Sequence, residues 1–342
     1  MTAVLQKGGP MFPKDLYIDL GTENTRIYAK RKGILLNQPT IIAHSKKINL
    51  EVTGEAAKKM IGRAPTNYSV HKPMQKGVVK DFEYAKDLLT NFLKDAKNEM
   101  LFSRSRILIS LPIEVDKEEK EMFRALAYEL GAGTVHLVSE PMAGAVGTGK
   151  DIFSKKPSMF LDLGAGTSEI IVTANGRISY SEAVRVGGND INSAIIEVLK
   201  SEHHFSVGEQ TAEFIKKETA VLDLNSIEAR TCKASGLNLK TGFPENRVVD
   251  STMIQSALIP TFDRLSKLLC DKLDQWPSEI ISDVKKSGVI VFGGGSLIGG
   301  TAQHFSKIFD APFIRANNPL MSVAIGGSKI LDNDQLFKNL KL

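Results

Sequence analysis

Residues 17–25 read Tyr17-Ile18-Asp19-Leu20-Gly21-Thr22-Glu23-Asn24-Thr25, and 143 positions later the pattern returns as Phe160-Leu161-Asp162-Leu163-Gly164-Ala165-Gly166-Thr167-Ser168. Each copy is an apolar strand that ends in an aspartate and a turn. Each is followed by a second β-like run, Arg26 to Ala29 and Glu169 to Thr173, so the pair reads as two β-hairpins that open two related domains. A turn such as Gly21 to Thr25 aims successive backbone N–H groups and a hydroxyl at an anion. A single turn of this kind is also a common structural device. Two of them, face to face, clamp a triphosphate from both sides, with Asp19 and Asp162 at the strand ends placed to hold Mg²⁺ directly or through its waters.

A third glycine-rich stretch is Val289-Ile290-Val291-Phe292-Gly293-Gly294-Gly295-Ser296-Leu297-Ile298-Gly299-Gly300, in which a buried strand runs into consecutive glycines before a helical segment. Backbone without Cβ admits flat contact with a ring and unusual φ values, which suits the adenosine or α-phosphate side of a nucleotide. The alternative is a tight β-to-α turn with glycine for packing only.

Around these landmarks, β-rich runs at Asp15 to Asp19, Arg106 to Leu111, Met159 to Leu163 and Val289 to Phe292 alternate with helical stretches, the sign of an α/β protein. From Asp81 to Lys97, the residues Phe82, Ala85, Leu88, Leu89 and Phe92 recur at i, i+3 and i+4, the pattern of one buried helical face. Glu118 to Leu130 repeats it with Met122, Ala125, Leu126 and Leu130, stops at Gly131 and Gly133, and leads into a strand at His136 to Val138. The length of 342 residues suits two packed domains. No Pro-, Ser- or Gly-rich linker divides the halves, so crossing helices and a shared hinge are expected.

Composition narrows the function classes. Apolar residues at 42% and charged ones at 24% describe an ordinary globular chain. The net charge of +5 is spread rather than clustered, which favours an anionic surface only weakly. Cys232 and Cys270 have neither metal nor redox spacing and fit a reducing compartment. No apolar run approaches the roughly 18 residues a bilayer requires, and the first ten residues lack a signal-peptide core, so a soluble or peripheral protein is expected. The histidines show no zinc spacing, and the basic residues form no stripe with aromatics, which argues against nucleic acid as a partner.

The segments DLGTENT (19–25), LPIEVDKEEK (111–120), SEPMAGAVG (139–147), DLGAGTSE (162–169), RVGGNDIN (185–192), TAEFIKKE (211–218) and VFGGGSLIGG (291–300) together resemble, in this order, the actin, sugar-kinase and Hsp70 superfamily. Within it the chain is most similar to the MreB family of bacterial actins, through 37–40 (NQPT), 54–58 (GEAAK), 62–65 (GRAP), 73–78 (PMQKGV), 81–83 (DFE) and 321–329 (MSVAIGGSK). The likeness spans about Lys14 to Asp332. It implies an actin-like α/β fold: two duplicated ribonuclease H-like domains around a nucleotide cleft, each with a small subdomain. One core would take 1–32, 65–148 and 315–342, with its small subdomain at 33–64; the other would take 149–184 and 241–314, with its small subdomain at 185–240.

Carried over residue by residue, the resemblance implies ATP or ADP with Mg²⁺. Asp19 and Asp162 would serve cation and phosphates, Gly21, Thr22, Glu23, Asn24 and Thr25 would form one phosphate turn, and Gly164, Ala165, Gly166 and Thr167 the other, with Gly188 beside it. Glu213 and Lys216 would meet ribose and adenine, where the alternative is a solvated ion pair. Gly293, Gly294, Gly295, Ser296 and Leu297 complete the nucleotide set. Glu140 and Thr167 would position the attacking water, which is most of what phosphoryl transfer asks of a protein. Glu140, in Ser-Glu-Pro, can also simply open a helix.

The implied function is a polymerising bacterial actin, cytoplasmic and peripheral at the inner face of the membrane, whose filaments of paired protofilaments organise cell shape and cell-wall synthesis with slow ATP hydrolysis. Its partners would be its own copies, the anionic inner-membrane surface, and cell-wall or shape-determining membrane proteins. Met100, Leu101 and Phe102, followed by Arg104 and Arg106, look like a shallow membrane anchor, with Met11 and Phe12 as possible additions. The same apolar side chains can instead cap the preceding helix. Several positions depart from the family: Glu23 brings a carboxylate towards the γ-phosphate, Ala165 replaces glycine, Asn189-Asp190-Ile191-Asn192 replaces a more acidic stretch, and Thr219-Ala220 replaces Ile-Gly. They point to slow turnover, or to an ATP-binding scaffold that does not hydrolyse. A small-molecule kinase on the same fold is the further alternative, though such enzymes are usually longer.

Overall fold

Successive side chains of a strand face opposite ways, so a strand that carries large apolar residues on both faces must be covered on both. Asp15–Leu20 is such a strand: Leu16, Ile18 and Leu20 enter one core and Tyr17 another. Ser158–Leu163 repeats the division, with Met159, Leu161 and Leu163 in a core of their own and Phe160 beside Tyr17 in the shared one. These observations come from a computed structural model that describes residues 15–45, 47, 50–95 and 105–342. Lys97, and the anchor residues Met11, Phe12, Met100, Leu101 and Phe102, lie outside that set.

Each of these strands is the centre of a five-stranded sheet, and the two sheets have the same topology. In the first, the order is Gly33–Pro39, Asn24–Ala29, Asp15–Leu20, Ser105–Leu111, Ala132–Ser139. In the second it is Arg177–Val184, Ser168–Ala174, Ser158–Leu163, Val289–Phe292, Phe313–Arg315. Both begin as antiparallel hairpins and continue as parallel strands. Each also carries a three-stranded sheet inserted between its third and fourth strands in chain order: Glu51–Thr53, Ile42–Ser45, Tyr68–His71 in one, and Phe205–Ser206, Thr231–Asn238, Pro244–Asp250 in the other. The duplication seen in 17–25 and 160–168 thus extends to whole sheets.

Two helices cross between the sheets, Glu140–Thr148 and Ser322–Asp332. Their small residues permit backbone contact: a Cβ on Gly147 would lie 2.6 Å from the Ser322 carbonyl carbon, and one on Gly326 would lie 2.6 Å from that of Ala143. Met142, Ala143, Ile330 and Leu331 from this pair fill the shared core with Tyr17, Phe160 and Phe292. The helix expected around Glu118 runs Lys117–Glu129. Asp116 accepts from the Glu119 N–H at 2.7 Å, Glu119 answers by accepting from the Asp116 N–H at 3.0 Å, and Gly131 leaves the helix at φ +85°. The helix expected from Asp81 is described as Phe82–Asp95.

Candidate functional site

Both hairpin turns line one cleft of about 580 Å³, within the range of small-ligand sites. They are built alike. The Gly21 N–H donates to the Asn24 carbonyl at 3.1 Å, and the Gly164 N–H donates to the Thr167 carbonyl at 2.9 Å. A Cβ on either glycine would stand 2.9 Å from the carbonyl it bonds, so both turns depend on glycine. They approach each other through a third turn, Lys76-Gly77, between the short strands Met74–Gln75 and Val78–Val79. Its Gly77 N–H donates to Thr22 Oγ1 at 2.8 Å, and a Cβ on Gly166 would lie 2.7 Å from Lys76 Cα.

Acidic groups converge on the cleft floor. Asp19, Asp162 and Glu140 line it, the first two at equivalent strand ends and the third at the start of the first crossing helix, while Glu169, the register partner of Asp162, is buried behind the lining. Ser139 caps the Glu140 helix by accepting from the Met142 N–H at 3.2 Å. Burial pushes the Asp162 carboxyl up to about 7, helped by the charge of Asp19. Burial likewise raises Glu169 to about 8, although its carboxylate accepts from the Ile113 N–H at 2.7 Å. Glu140 is raised well above the ordinary range, first by burial and then by Glu169, Asp19 and Asp162. Asp19 is also raised by burial, against the pull of Arg26, whose Nη1 donates to it at 2.9 Å. Four acids around one guanidinium leave a deficit of positive charge. A divalent cation fits such a floor. Among the described residues no three acidic, His or Cys groups form a complete metal cage, so a cation held by Asp19 and Asp162 would complete its shell with phosphate or water.

Further along the cleft, Glu213 accepts from Lys216 at 2.7 Å, from Lys217 at 2.9 Å and from Asn192 at 2.8 Å. Burial alone would raise its carboxyl, but Lys216, Lys217 and Asn192 prevail and hold it at about 2. Lys216 also donates to the Gly188 carbonyl at 2.8 Å, and burial lowers its pKa. The pair is therefore largely enclosed, not solvated. Opposite lies the glycine wall: Gly293 sits at φ +80°, donates to the Pro319 carbonyl at 3.0 Å, and would place a Cβ 2.5 Å from the Leu163 carbonyl oxygen. The helix expected directly after the glycines is a short 3₁₀ turn, Gly294–Leu297, followed by Thr301–Phe309.

Most of the residues singled out from the sequence line this cleft, but Thr25 and Ser296 do not. The Thr25 hydroxyl is buried against that of Thr40 at 2.9 Å, and Ser296 donates to the Gly293 carbonyl at 2.6 Å. Both hydroxyls brace the turns from behind. Glu23 lines the cleft, yet its charge is met by Lys58 Nζ at 3.1 Å, and this answers the repulsion expected from a lone carboxylate. Across the mouth, Gln210 donates to the Lys58 carbonyl, and Lys72 pairs with Glu209. The lining residues not legible as such in the sequence include Arg26, Asn37, Gly77 of the Lys76-Gly77 turn, and the apolar strip Pro319-Leu320-Met321. Lys76 and Gly77 both take positive φ, +49° and +80°, a two-residue turn whose usual sequence signal is Asn-Gly or Asp-Gly and not Lys-Gly, whereas the 143-residue shift that superposes the repeats does align Arg26 with Glu169.

Two sheets of identical order, two inserted small sheets and a cleft floored by duplicated turns define an actin-like protein. A family model described as MreB/Mbl protein matches residues 13–339. The chain belongs to the MreB/Mbl family. It is 33% identical over 333 residues to the cell shape-determining protein Mbl of Bacillus subtilis, covering 97% of this chain and 100% of that protein. It is 34% identical over 335 residues to the cell shape-determining protein MreB of Escherichia coli K12, covering 96% of each. Among solved structures, MreB 5 of Spiroplasma citri bound to AMPPNP superposes with a TM-score of 0.89 at 29% identity, over 95% of this chain and 97% of that one. The MamK double helical filament gives a TM-score of 0.76 at 19% identity, over 93% and 99%.

Proposed function

We propose that the chain binds ATP between its two halves, polymerises with copies of itself, and forms filaments on an anionic membrane that organise cell shape and cell-wall synthesis, with slow ATP hydrolysis. The observation that carries this reading is the pair of hairpin turns lining one cleft, each with a buried aspartate at its strand end. Relatives support it: MreB 5 of Spiroplasma citri has been solved with AMPPNP and with ADP, and MamK as a double helical filament. A division into two cores, each with a small subdomain, is proposed on the same footing, since each five-stranded sheet carries one inserted sheet; those sheets fall within 42–71 and 205–250, so the small subdomains extend past the 33–64 and 185–240 read from the sequence, and Gly33–Pro39 belongs to the first core.

In this reading the backbone N–H groups of 22–24 and 165–167, in turns closed by the Gly21 and Gly164 N–H groups, hold the phosphates, Glu213 and Lys216 meet ribose and adenine, and the glycines from Gly293 to Gly295 lie against the nucleoside. Mg²⁺, held by Asp19 and Asp162, would neutralise phosphate charge. Glu140 and Thr167 orient the attacking water, a carboxylate and a hydroxyl sufficing for one water molecule. Glu23 leaves the phosphates undisturbed because Lys58 balances it. Thermal melting checks the binding step: nucleotide with Mg²⁺ at about 100 times its dissociation constant adds about 2.7 kcal/mol to stability. A melting temperature that ATP and ADP leave unmoved at millimolar concentration would remove the nucleotide reading.

Membrane contact is proposed through Met100, Leu101 and Phe102, apolar positions followed by Arg104 and Arg106. Leu101→Ser with Phe102→Ser is expected to release the protein from anionic liposomes in co-sedimentation. Unchanged pelleting would take that loop out of the account.

A further inference from the structure

The shift of 143 residues carries Asp19 onto Asp162 and Arg26 onto Glu169. In both hairpins these positions are register partners, Asp19 with Arg26 and Asp162 with Glu169. Cross-strand partners share one face of the sheet. The duplicated floor is therefore alike in backbone and unlike in charge: one hairpin offers two acids, the other an acid and a cation. The next strand extends the second kind of ladder with Asn37, the register partner of Arg26, and both side chains line the cleft.

Arg26 is held but not used up. Its Nη1 donates to Asp19 at 2.9 Å, while its Nε is buried without a hydrogen-bond partner among the described residues. The side chain is only 15% exposed and that of Asp19 5%. A guanidinium has five N–H donors, and a buried donor left unmade is costly. The same guanidinium lines the cleft with Asp19, Glu140 and Asp162, and its charge favours the ionised form of all three. Its geometry is that of a group that binds phosphate oxygens in pairs.

Building on the nucleotide reading above, we propose that Arg26 is a resident counter-ion of the cleft, which binds the phosphate chain of the nucleotide directly and makes binding less dependent on a divalent cation. Asp19 holds the guanidinium in place, and Glu169, its counterpart in the second hairpin, leaves that side to rely on an added cation. Arg26 is a positioning residue here, acting on bound phosphate and not on the water.

The experiment is equilibrium binding of ATP and ADP to the full chain, in EDTA and in saturating Mg²⁺, for wild type, Arg26→Leu and Arg26→Lys. Arg26→Leu is expected to lose about 10- to 100-fold in affinity in EDTA, the scale of one or two charge-assisted hydrogen bonds, and to lose little in Mg²⁺. Arg26→Lys should recover part of the loss, and the loss should persist in an Asp19→Asn background, where neutralising Asp19 is no longer a role for Arg26. Should Arg26→Leu fail to fold, Arg26→Gln carries the same expectation. Wild type that needs Mg²⁺ for any binding, or Arg26→Leu that matches wild type in EDTA, overturns the inference and leaves the nucleotide reading standing. Wild type that binds no nucleotide with Mg²⁺ overturns both.

Discussion

Replacing Glu140 with alanine is expected to slow phosphate release by about 100-fold or more while nucleotide affinity holds, the range associated with losing a positioned general base. The case rests on where the sequence puts this carboxylate. Ser139 caps the helix and Pro141 occupies its first turn, so helix initiation does not need an acid at 140. Three other carboxylates face it, and with burial they raise its pKa well above the ordinary range. A group under that pressure is a cost to the ligand-free protein, because the folded state disfavours its ionised form. Glu140→Ala should therefore leave the melting temperature unchanged or raised while hydrolysis falls. That combination separates a chemical role from a structural one. Equal phosphate release in wild type and variant would sink the assignment and favour the ATP-binding scaffold over the slow ATPase.

Gly326→Val is expected to lose at least about 3 kcal/mol of stability, or to leave no soluble protein, because backbone rather than a flexible side chain fills the space its Cβ would need. At this crossing a Cβ meets the Ala143 carbonyl and the Gly147 amide nitrogen, the latter at 2.8 Å. Neither can give way without parting the helices Glu140–Thr148 and Ser322–Asp332, which carry the shared core between the sheets. Gly208, the N-cap of the helix Glu209–Thr219, supplies the control: among the described residues nothing lies within 4 Å of its Cβ position, so Gly208→Ala should cost no more than the roughly 1 kcal/mol of a weakened cap in urea denaturation. Comparable losses at the two positions would mean that the crossing does not bear on stability as described.

The fold was legible because it is written twice. An apolar strand, an aspartate and a turn at 17–25 recur at 160–168, and the two five-stranded sheets then follow the same order. Periodicity marks both the helix beginning at Phe82 and the helix Lys117–Glu129, and glycine marks the stop of the second, while its Asp116 cap is seen only in the structure. What escaped was whatever depends on partners distant in the chain. Glu23 reads as a repelling charge until Lys58, 35 residues on, is seen beside it. Thr25 and Ser296 carry hydroxyls of the right chemistry, but strand alternation and a tight turn point them away from the cleft. In the sequence Arg26 is no more than the start of a β-run, since its meaning depends on being the register partner of Asp19.

The central claim is that nucleotide in this cleft governs assembly of the chain with itself. Sedimentation of the purified protein, with electron microscopy of the pellet, tests it most directly when run with and without Mg-ATP, and with and without anionic lipid. The account predicts filaments that require nucleotide and gather on the lipid. A protein that binds ATP yet stays monomeric in every condition would contradict it.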